Sequence, residues 1–171
     1  MGLDQYLEAR QYVSKYSYTP DREPVVTDRY AAIAKYAPEG FDDYSDFAGI
    51  QLVFPVGYWR KANAIHGWFV ENVQNGVDDC GQYFVPREKL IALRDACNSV
   101  LMVPVGHTLE DVAQRVGLAP TQGFFFGSYD YDNWYEADIK KTVRMINNIL
   151  TLYPEDRHDA NFTSFYYSSS W

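Results

Sequence analysis

No apolar run in the chain approaches the roughly 18 residues that a membrane-spanning helix needs. The first residues, Met-Gly-Leu-Asp-Gln-Tyr, also lack the basic and apolar stretches of a secretory signal. These two absences argue against a membrane partner, and we expect a cytoplasmic protein.

Cysteine is scarce as well. Cys80 and Cys97 are the only two in the chain, and they form neither a CxxC pair nor a set with histidine at zinc-binding spacing. This spacing excludes a disulfide framework and a zinc finger. We predict that both are reduced structural thiols in a reducing compartment, without metal. The sequence predicts no metal site and no other cofactor.

Basic residues are outnumbered, with 15 Lys and Arg against 23 Asp and Glu and a net charge of −8. Binding to extended nucleic acid requires many Lys and Arg contacts to phosphate, so the composition argues against it. Residues 49–128 are nearly neutral, whereas the segments on either side are acidic. A small anionic ligand needs only two or three bases and remains open.

Aromatic side chains, by contrast, are abundant at 17% of residues, with 15 Tyr and 10 Phe. Tyrosine joins a large contact face to a polar tip, and it is enriched where proteins touch partners. The same residues also suit the surface of a β-sheet. Both interpretations stay open for the individual tyrosines.

Hydrophobic periodicity predicts the fold class. Residues 2–13 alternate between apolar and polar as a strand with one wet face does, and Asn133–Leu152 has the clearest helical period. Helices are also expected at 30–36, 58–74, 86–101 and 108–116, and strands at 50–56, 82–85, 123–127 and 161–171. We predict one α+β domain over 1–171, a mostly antiparallel sheet packed against two long helices, 58–74 and Asn133–Leu152, and shorter ones. Residues 17–48 look like a variable excursion.

The most distinctive stretch lies at the start of the predicted helix 58–74. Stacking, basic and hydrogen-bonding side chains are concentrated there: Trp59, Arg60, Lys61, Asn63 and His66. Such groups could stack on a flat ligand, bind phosphate and reach polar edges. Bases near a helix N-terminus oppose the helix dipole, which favours a binding role. The alternative is a structural helix end whose tryptophan packs inward and whose histidine is a satisfied core residue.

A second aromatic segment supplies the opposite wall in this hypothesis. Residues 123–127 read Gly-Phe-Phe-Phe-Gly, without the spacing of a phosphate-binding glycine loop. We expect Phe124, Phe126 and Tyr129 to face the helix across a pocket. A purely structural role in the core is equally open for Phe124 and Phe126.

The segment 76–81 carries Asp78, Asp79 and Cys80 between glycines. It could hold a cation or present Cys80 as a nucleophile with His66 as its base, but two carboxylates are few for a metal site. Adjacent acids would also raise the pKa of a nucleophilic thiol. We therefore predict a turn here, and no catalytic residue.

Taken together, these blocks resemble a family of small phage and prophage proteins that open with Met-Gly-Leu-Asp-x-Tyr-Leu. The matching blocks are residues 1–7, 58–66 with Trp68 and Phe69, 76–80, 123–127 and 165–171, whereas 17–48 and 102–120 do not match. The resemblance spans nearly the whole chain but carries no activity to transfer. It implies a phage-encoded accessory protein in the host cytoplasm. Such proteins often counter host defence, sometimes by sequestering a nucleotide-derived immune signal.

We therefore expect a binding protein that sequesters a small anionic, nucleotide-like ligand without turning it over. One alternative is a nucleotide phosphoesterase or hydrolase, which requires His66 to meet Asp78 or Asp79 in space. Another is an acidic interaction protein that blocks a host nucleic-acid-binding protein, which the net charge favours. Whether the chain forms a homo-oligomer stays open.

Overall fold

The computed structural model describes residues 2–18, 20–41, 49–123, 126–155 and 163–171, and these form six strands and five helices. The strands are β1 (Asp4–Ser14), β2 (Tyr16–Ser17), β3 (Val25–Val26), β4 (Gly49–Arg60), β5 (Gln82–Val85) and β6 (Thr163–Ser170). The helices are α1 (Asp28–Ala34), α2 (Asn63–Asn72), α3 (Arg87–Leu101), α4 (Leu109–Arg115) and α5 (Asn133–Leu152). This confirms the predicted α+β class.

Strand β1 lies at the centre of the fold. The main sheet has the order β4-β1-β6-β5, and all three neighbouring pairs are antiparallel. Strands β2 and β3 form a separate small ladder. Because side chains alternate along a strand, the odd-numbered residues of β1, such as Leu7 and Ala9, are buried, while Tyr6 and Tyr12 are exposed.

The core lies between one face of this sheet and helices α2, α3 and α5, with α3 packed against α5. Its members are apolar residues at helical or strand spacing: Leu7, Trp59, Ile65, Phe69, Leu90, Leu93, Cys97, Ile139, Ile146, Ile149, Phe165 and Tyr167. None of the described helices is both long and apolar enough to cross a membrane.

The predicted helix 58–74 is wrong at its first five positions. Strand β4 continues through Arg60, where Trp59 pairs with Gln5 of β1. Lys61 then takes a left-handed backbone conformation, with φ of 59°, and α2 begins only at Asn63. The aromatic pair Tyr58 and Trp59 suits a strand, and pairing with β1 outweighs the local helical period. The two longest helices are therefore α5 and α3.

Several other predictions are confirmed within a few residues. Strands β1, β5 and β6 and helices α3, α4 and α5 lie where the sequence places them. Helix α4 begins with a capping box in which the side chains and backbones of Thr108 and Asp111 bond reciprocally. The predicted strand at 123–127 is wrong for its described residues, because 123, 126 and 127 are in no strand.

A hydrogen bond across the core supplies the first testable prediction. The indole Nε1 of Trp59 donates to Oγ1 of Thr142 over 2.8 Å, and both side chains are buried. Thr142→Val keeps the volume but leaves the indole N–H without an acceptor. A buried donor in that state costs about 1–3 kcal/mol, and we expect the free energy of unfolding in urea to fall by that amount.

Thr151 is the matched control. Like Thr142, it lies on α5 and donates its hydroxyl to the carbonyl four residues earlier, but it is exposed. Thr151→Val should change stability by no more than about 0.5 kcal/mol. Equal losses in the two variants would show that the bond to Trp59 contributes nothing.

Candidate functional site

The residues predicted to form a ligand platform point in different directions. Trp59 is fully buried, packs edge-on against Phe69 and has its N–H bonded to Thr142. Its indole therefore has no free face for a ligand. Arg60 lies at the end of β4 with 62% of its side chain exposed, and Lys61 is also exposed.

Asn63 fixes the segment 126–128 to the start of α2. Its side-chain N–H group donates to the carbonyls of Phe126 (3.3 Å) and Ser128 (2.7 Å). The residues 126–128 are thereby held against the start of α2. Phe126 is buried, and its ring meets the ring of His66 edge to face at 5.2 Å. The structure thus brings Asn63, His66 and Phe126 together, as the hypothesis of a facing wall expects, but in a packed interior.

The remaining members of the predicted wall fall elsewhere. Tyr129 is exposed, and its hydroxyl donates to the carbonyl of Gly123 over 3.0 Å, which closes a small loop. Phe124 lies outside the described residues.

His66 is the centre of a buried polar chain. Its ring is fully buried, with Nδ1 at 2.8 Å from the Tyr167 hydroxyl and Nε2 at 3.0 Å from Oδ2 of Asp78. A carboxylate at Nε2 favours a proton on that nitrogen, which leaves Nδ1 to accept from Tyr167. The chain joins α2, β6 and the turn before β5.

Further residues complete this chain at both ends. The indole of Trp171 donates to the other Asp78 oxygen over 3.1 Å, and the Tyr167 hydroxyl has the side-chain carbonyl of Gln5 at 3.4 Å. The ring of Phe69 stacks on Tyr167 at 3.9 Å. Burial, with the Asp78 charge as a smaller cause, raises the pKa of Tyr167 well above its usual value. The hydroxyl therefore stays protonated at neutral pH and can serve only as a neutral hydrogen-bonding group.

The turn 76–81 has the predicted irregular form. Oδ1 of Asp79 accepts from the Gly81 N–H (2.8 Å) and the Tyr83 hydroxyl (2.9 Å), and these bonds lower the pKa of Asp79. Both cysteines are free thiols: Cys80 is exposed, and Cys97 is buried with its pKa raised to about 12 by that burial. No group of three or more His, Cys, Asp or Glu in the described residues is arranged to hold a metal ion.

A small cavity of about 40 Å³ opens where α2 and α5 begin, enough for a few water molecules. Lys61, Asn63, Ser128 and Asp138 are among its lining residues. Burial raises the pKa of Asp138 to about 6, the nearby Asp132 adds to the rise, and Lys141 opposes it. This carboxyl group is half-buried without an ion pair closer than 4 Å among the described residues.

The side of the sheet that faces away from the helices presents the largest set of exposed rings. We call it the outer face; its residues include Asp4, Tyr6, Glu8, Arg10 and Tyr12 of β1, Gln51, Val53, Pro55, Tyr58 and Arg60 of β4, Gln82 and Phe84 of β5, and Ser164, Tyr166, Ser168 and Ser170 of β6. Tyr6, Tyr58 and Phe84 are 41%, 42% and 55% exposed. These rings are not coplanar, since Tyr6 and Tyr58 are tilted by 43° and Phe84 and Tyr166 by 67°, but an exposed ring can stack on a flat ligand individually.

Cations lie against these rings. The Arg10 guanidinium is 4.2 Å from the centre of the Tyr166 ring, and the Lys141 amine reaches from α5 to within 5.7 Å of the Tyr58 ring. The acids are already bonded: Arg10 binds Glu8 at 2.8 Å, and the Tyr58 hydroxyl donates to Asp4 over 2.5 Å. With Arg60 included, three bases stand against two acids here, although the whole chain carries −8.

Most of this surface lies outside the predicted site. Only Arg60 belongs to both, and the prediction missed Tyr6, Tyr58, Phe84 and Tyr166. The signal was present for Tyr6 and Arg10, which the alternation of residues 2–13 assigns to the wet side of β1. No local pattern shows that β4 and β5 add their aromatic residues to the same side.

Comparisons with known proteins found no relative: no protein-family model matches the chain, and no curated protein or solved structure is significantly similar to it.

The buried chain through His66 can be tested with Tyr167→Phe. Removing the hydroxyl leaves Nδ1 of His66 buried without its partner at 2.8 Å, which should lower the free energy of unfolding by about 1–3 kcal/mol. Tyr83→Phe, which removes an exposed hydroxyl bond to Asp79, is the control and should change it by at most about 0.5 kcal/mol. If Tyr167→Phe changed the free energy of unfolding no more than this control, the hydrogen-bonded side chains around His66 would not stabilise the fold.

The raised pKa of Asp138 predicts that the protein loses stability as the pH rises. A carboxyl group with a folded pKa near 6 and an unfolded value of about 3.9 destabilises the fold progressively between those pH values, and by a constant amount above them. Asp138→Asn should therefore raise the urea midpoint at pH 7.5, with a gain that shrinks toward pH 4. An equal gain at both pH values would contradict this cause.

Proposed function

We propose that the protein binds and sequesters a small nucleotide-like ligand on the outer face, without turning the ligand over. The observation that carries this proposal is a set of aromatic rings with cations stacked on or beside them: the exposed Tyr6, Tyr58 and Phe84 and the partly buried Tyr166, with Arg10 and Lys141. A nucleotide has a flat base and a negative phosphate, and this surface offers a partner for each.

Two further features support binding at this surface. Open four-stranded antiparallel sheets serve elsewhere as platforms on which bases stack against aromatic side chains. Among the cations of the outer face, Arg60 has the most exposed side chain, and it lies next to the ring pair formed by Tyr6 and Tyr58. Its ion-pair distance of 3.9 Å to Asp4 is long, so phosphate can compete for it at a small cost.

The biological role proposed here follows the resemblance described above. A phage-encoded accessory protein in the host cytoplasm would counter host defence by withdrawing a nucleotide-derived signal from its receptor. Sequestration requires affinity rather than chemistry, and stacking groups and bases supply affinity.

A nucleotide phosphoesterase is the second candidate function, favoured by one observation. The contact that it requires is present, because Nε2 of His66 lies 3.0 Å from Asp78. A general base, however, must reach a proton on substrate or water. The His66 ring is fully buried and both of its nitrogens are bonded within the chain, which supports a structural role.

One experiment separates these readings. The protein is incubated with a panel of mononucleotides and dinucleotides, separated from free ligand and denatured by heat, and the released material is analysed by mass spectrometry. Intact ligand supports sequestration, and chemically altered ligand supports the phosphoesterase. If no ligand is retained and the free fraction also contains no altered nucleotide, both functions are contradicted, and an acidic interaction protein is left as the alternative.

Arg60→Ala provides the mutational test. A charge-assisted hydrogen bond is worth about 1.5–3 kcal/mol, so its loss should weaken ligand binding at least about tenfold. Because the side chain is 62% exposed, the melting temperature should stay nearly unchanged. Binding is measured by calorimetry with the nucleotide that the protein retains.

Arg94→Ala is the matched control, since Arg94 also pairs with an adjacent acid, Asp95, but lies on α3 away from the sheet. It should bind normally. Ile65→Ala should show the reverse of Arg60→Ala, with a stability loss of about 2–5 kcal/mol from the core. Normal binding by Arg60→Ala would contradict the proposed site.

A further inference from the structure

We infer that the ligand of the outer face is a dinucleotide, whose two bases bind separate aromatic pairs. This inference rests on the function proposed above. It is carried by the arrangement of four rings of the outer face, three exposed and that of Tyr166 partly buried, which fall into two cross-strand pairs; the exposed Tyr12 belongs to neither pair. A mononucleotide would occupy only one of them.

Each pair is formed by residues directly opposite each other on neighbouring strands. Tyr6 of β1 faces Tyr58 of β4, with ring centres 5.5 Å apart. Phe84 of β5 faces Tyr166 of β6, with ring centres 5.9 Å apart. We call these the Tyr6–Tyr58 pair and the Phe84–Tyr166 pair.

The register of the sheet sets the distance between the pairs. Tyr6 lies opposite Ser168, and Tyr166 lies opposite Glu8, so the pairs are offset by two residues along the strands. With strands about 4.8 Å apart and two residues spanning about 6.8 Å, the nearest Cα positions, those of Tyr6 and Tyr166, are roughly 8 Å apart. Stacked bases in a nucleic acid are only about 3.4 Å apart. The two bases must therefore bind unstacked and splayed, as bases do on other open sheets.

The surface between the pairs suits the linking phosphate. Ser168 offers a hydroxyl there, and the carboxylate of Glu8 is bonded by Arg10 (2.8 Å) and Gln82 (3.3 Å). That pairing offsets the negative charge that would otherwise repel a phosphate. Each pair also has its own cation, Lys141 at the Tyr58 ring and Arg10 at the Tyr166 ring.

Two stacking sites should bind a dinucleotide more tightly than one site binds a mononucleotide. Stacking on an aromatic side chain contributes a gain of roughly five- to 150-fold per base. We expect the dissociation constant of a dinucleotide to be at least about fivefold below that of the corresponding mononucleotide. The gain should disappear when either pair is removed.

The test compares three probes by calorimetry: adenosine monophosphate, its linear dinucleotide and its cyclic dinucleotide. Tyr6→Ala and Phe84→Ala each remove one pair, and Tyr58→Ala serves as a second variant for the first pair. Tyr12→Ala is the control, because Tyr12 is an exposed tyrosine of the same face, 46% exposed, that belongs to neither pair. Variants are compared only after their melting temperatures show that they are folded.

The expected result is tighter binding of at least one dinucleotide by the parent and by Tyr12→Ala. In Tyr6→Ala and Phe84→Ala, dinucleotide affinity should fall to within a few-fold of that for the mononucleotide. Equal affinity of the parent for all three probes would overturn the dinucleotide inference but not the proposed function. A dinucleotide preference that survives loss of either pair would also overturn it. Binding of no nucleotide at all would overturn the proposed function itself.

Discussion

The central position of strand β1, with a partner on each edge, is the constraint on which the other features depend. Because side chains alternate along the strand, its pairing with β4 and β6 fixes a dry side and a wet side for the whole sheet. Leu7 and Ala9 meet the helices on the dry side, and Tyr6 remains in water on the other. If β4 or β6 paired with β1 one residue out of register, the side chains of that strand would exchange the dry side for the wet side.

The same alternation divides the aromatic residues by role. Trp59 and Tyr167 are inside, where each polar atom needs a partner because burial of an unpaired group is costly. They find those partners in Thr142 and His66. Tyr58 and Tyr166, one residue away from them in the chain, lie on the opposite side of the sheet, Tyr58 exposed and Tyr166 partly buried beneath Arg10. Neighbouring aromatic residues in the sequence are thus divided between the core and the outer face.

The sequence predicted those elements whose own residues carry the hydrophobic pattern. It failed where contacts between distant segments determine the local structure. Helix α5 was predicted with its observed bounds, because its apolar stripe is a local signal. The stretch 58–62 has helical spacing, yet it pairs with β1 more than 50 residues earlier. For the site, the clustering of Asn63, His66 and Phe126 was anticipated. Their burial agrees with the alternative that the sequence left open, in which His66 is a satisfied core residue and Phe126 has a structural role. The sequence could not decide between the two, because burial depends on what packs above these residues.

The pairing of β1 with β6 also governs the order in which the fold can assemble. Gln5 and Tyr167 are 162 positions apart in the chain, and contacts of such separation close late because the intervening loop loses much conformational entropy. Strand β1 can pair with β4 as soon as residue 60 is available, but its other edge stays open until β6 arrives. During synthesis on the ribosome, that open edge is a surface to which another extended chain could add. Strand β6 therefore closes the second edge of β1 and, in doing so, removes one route to aggregation.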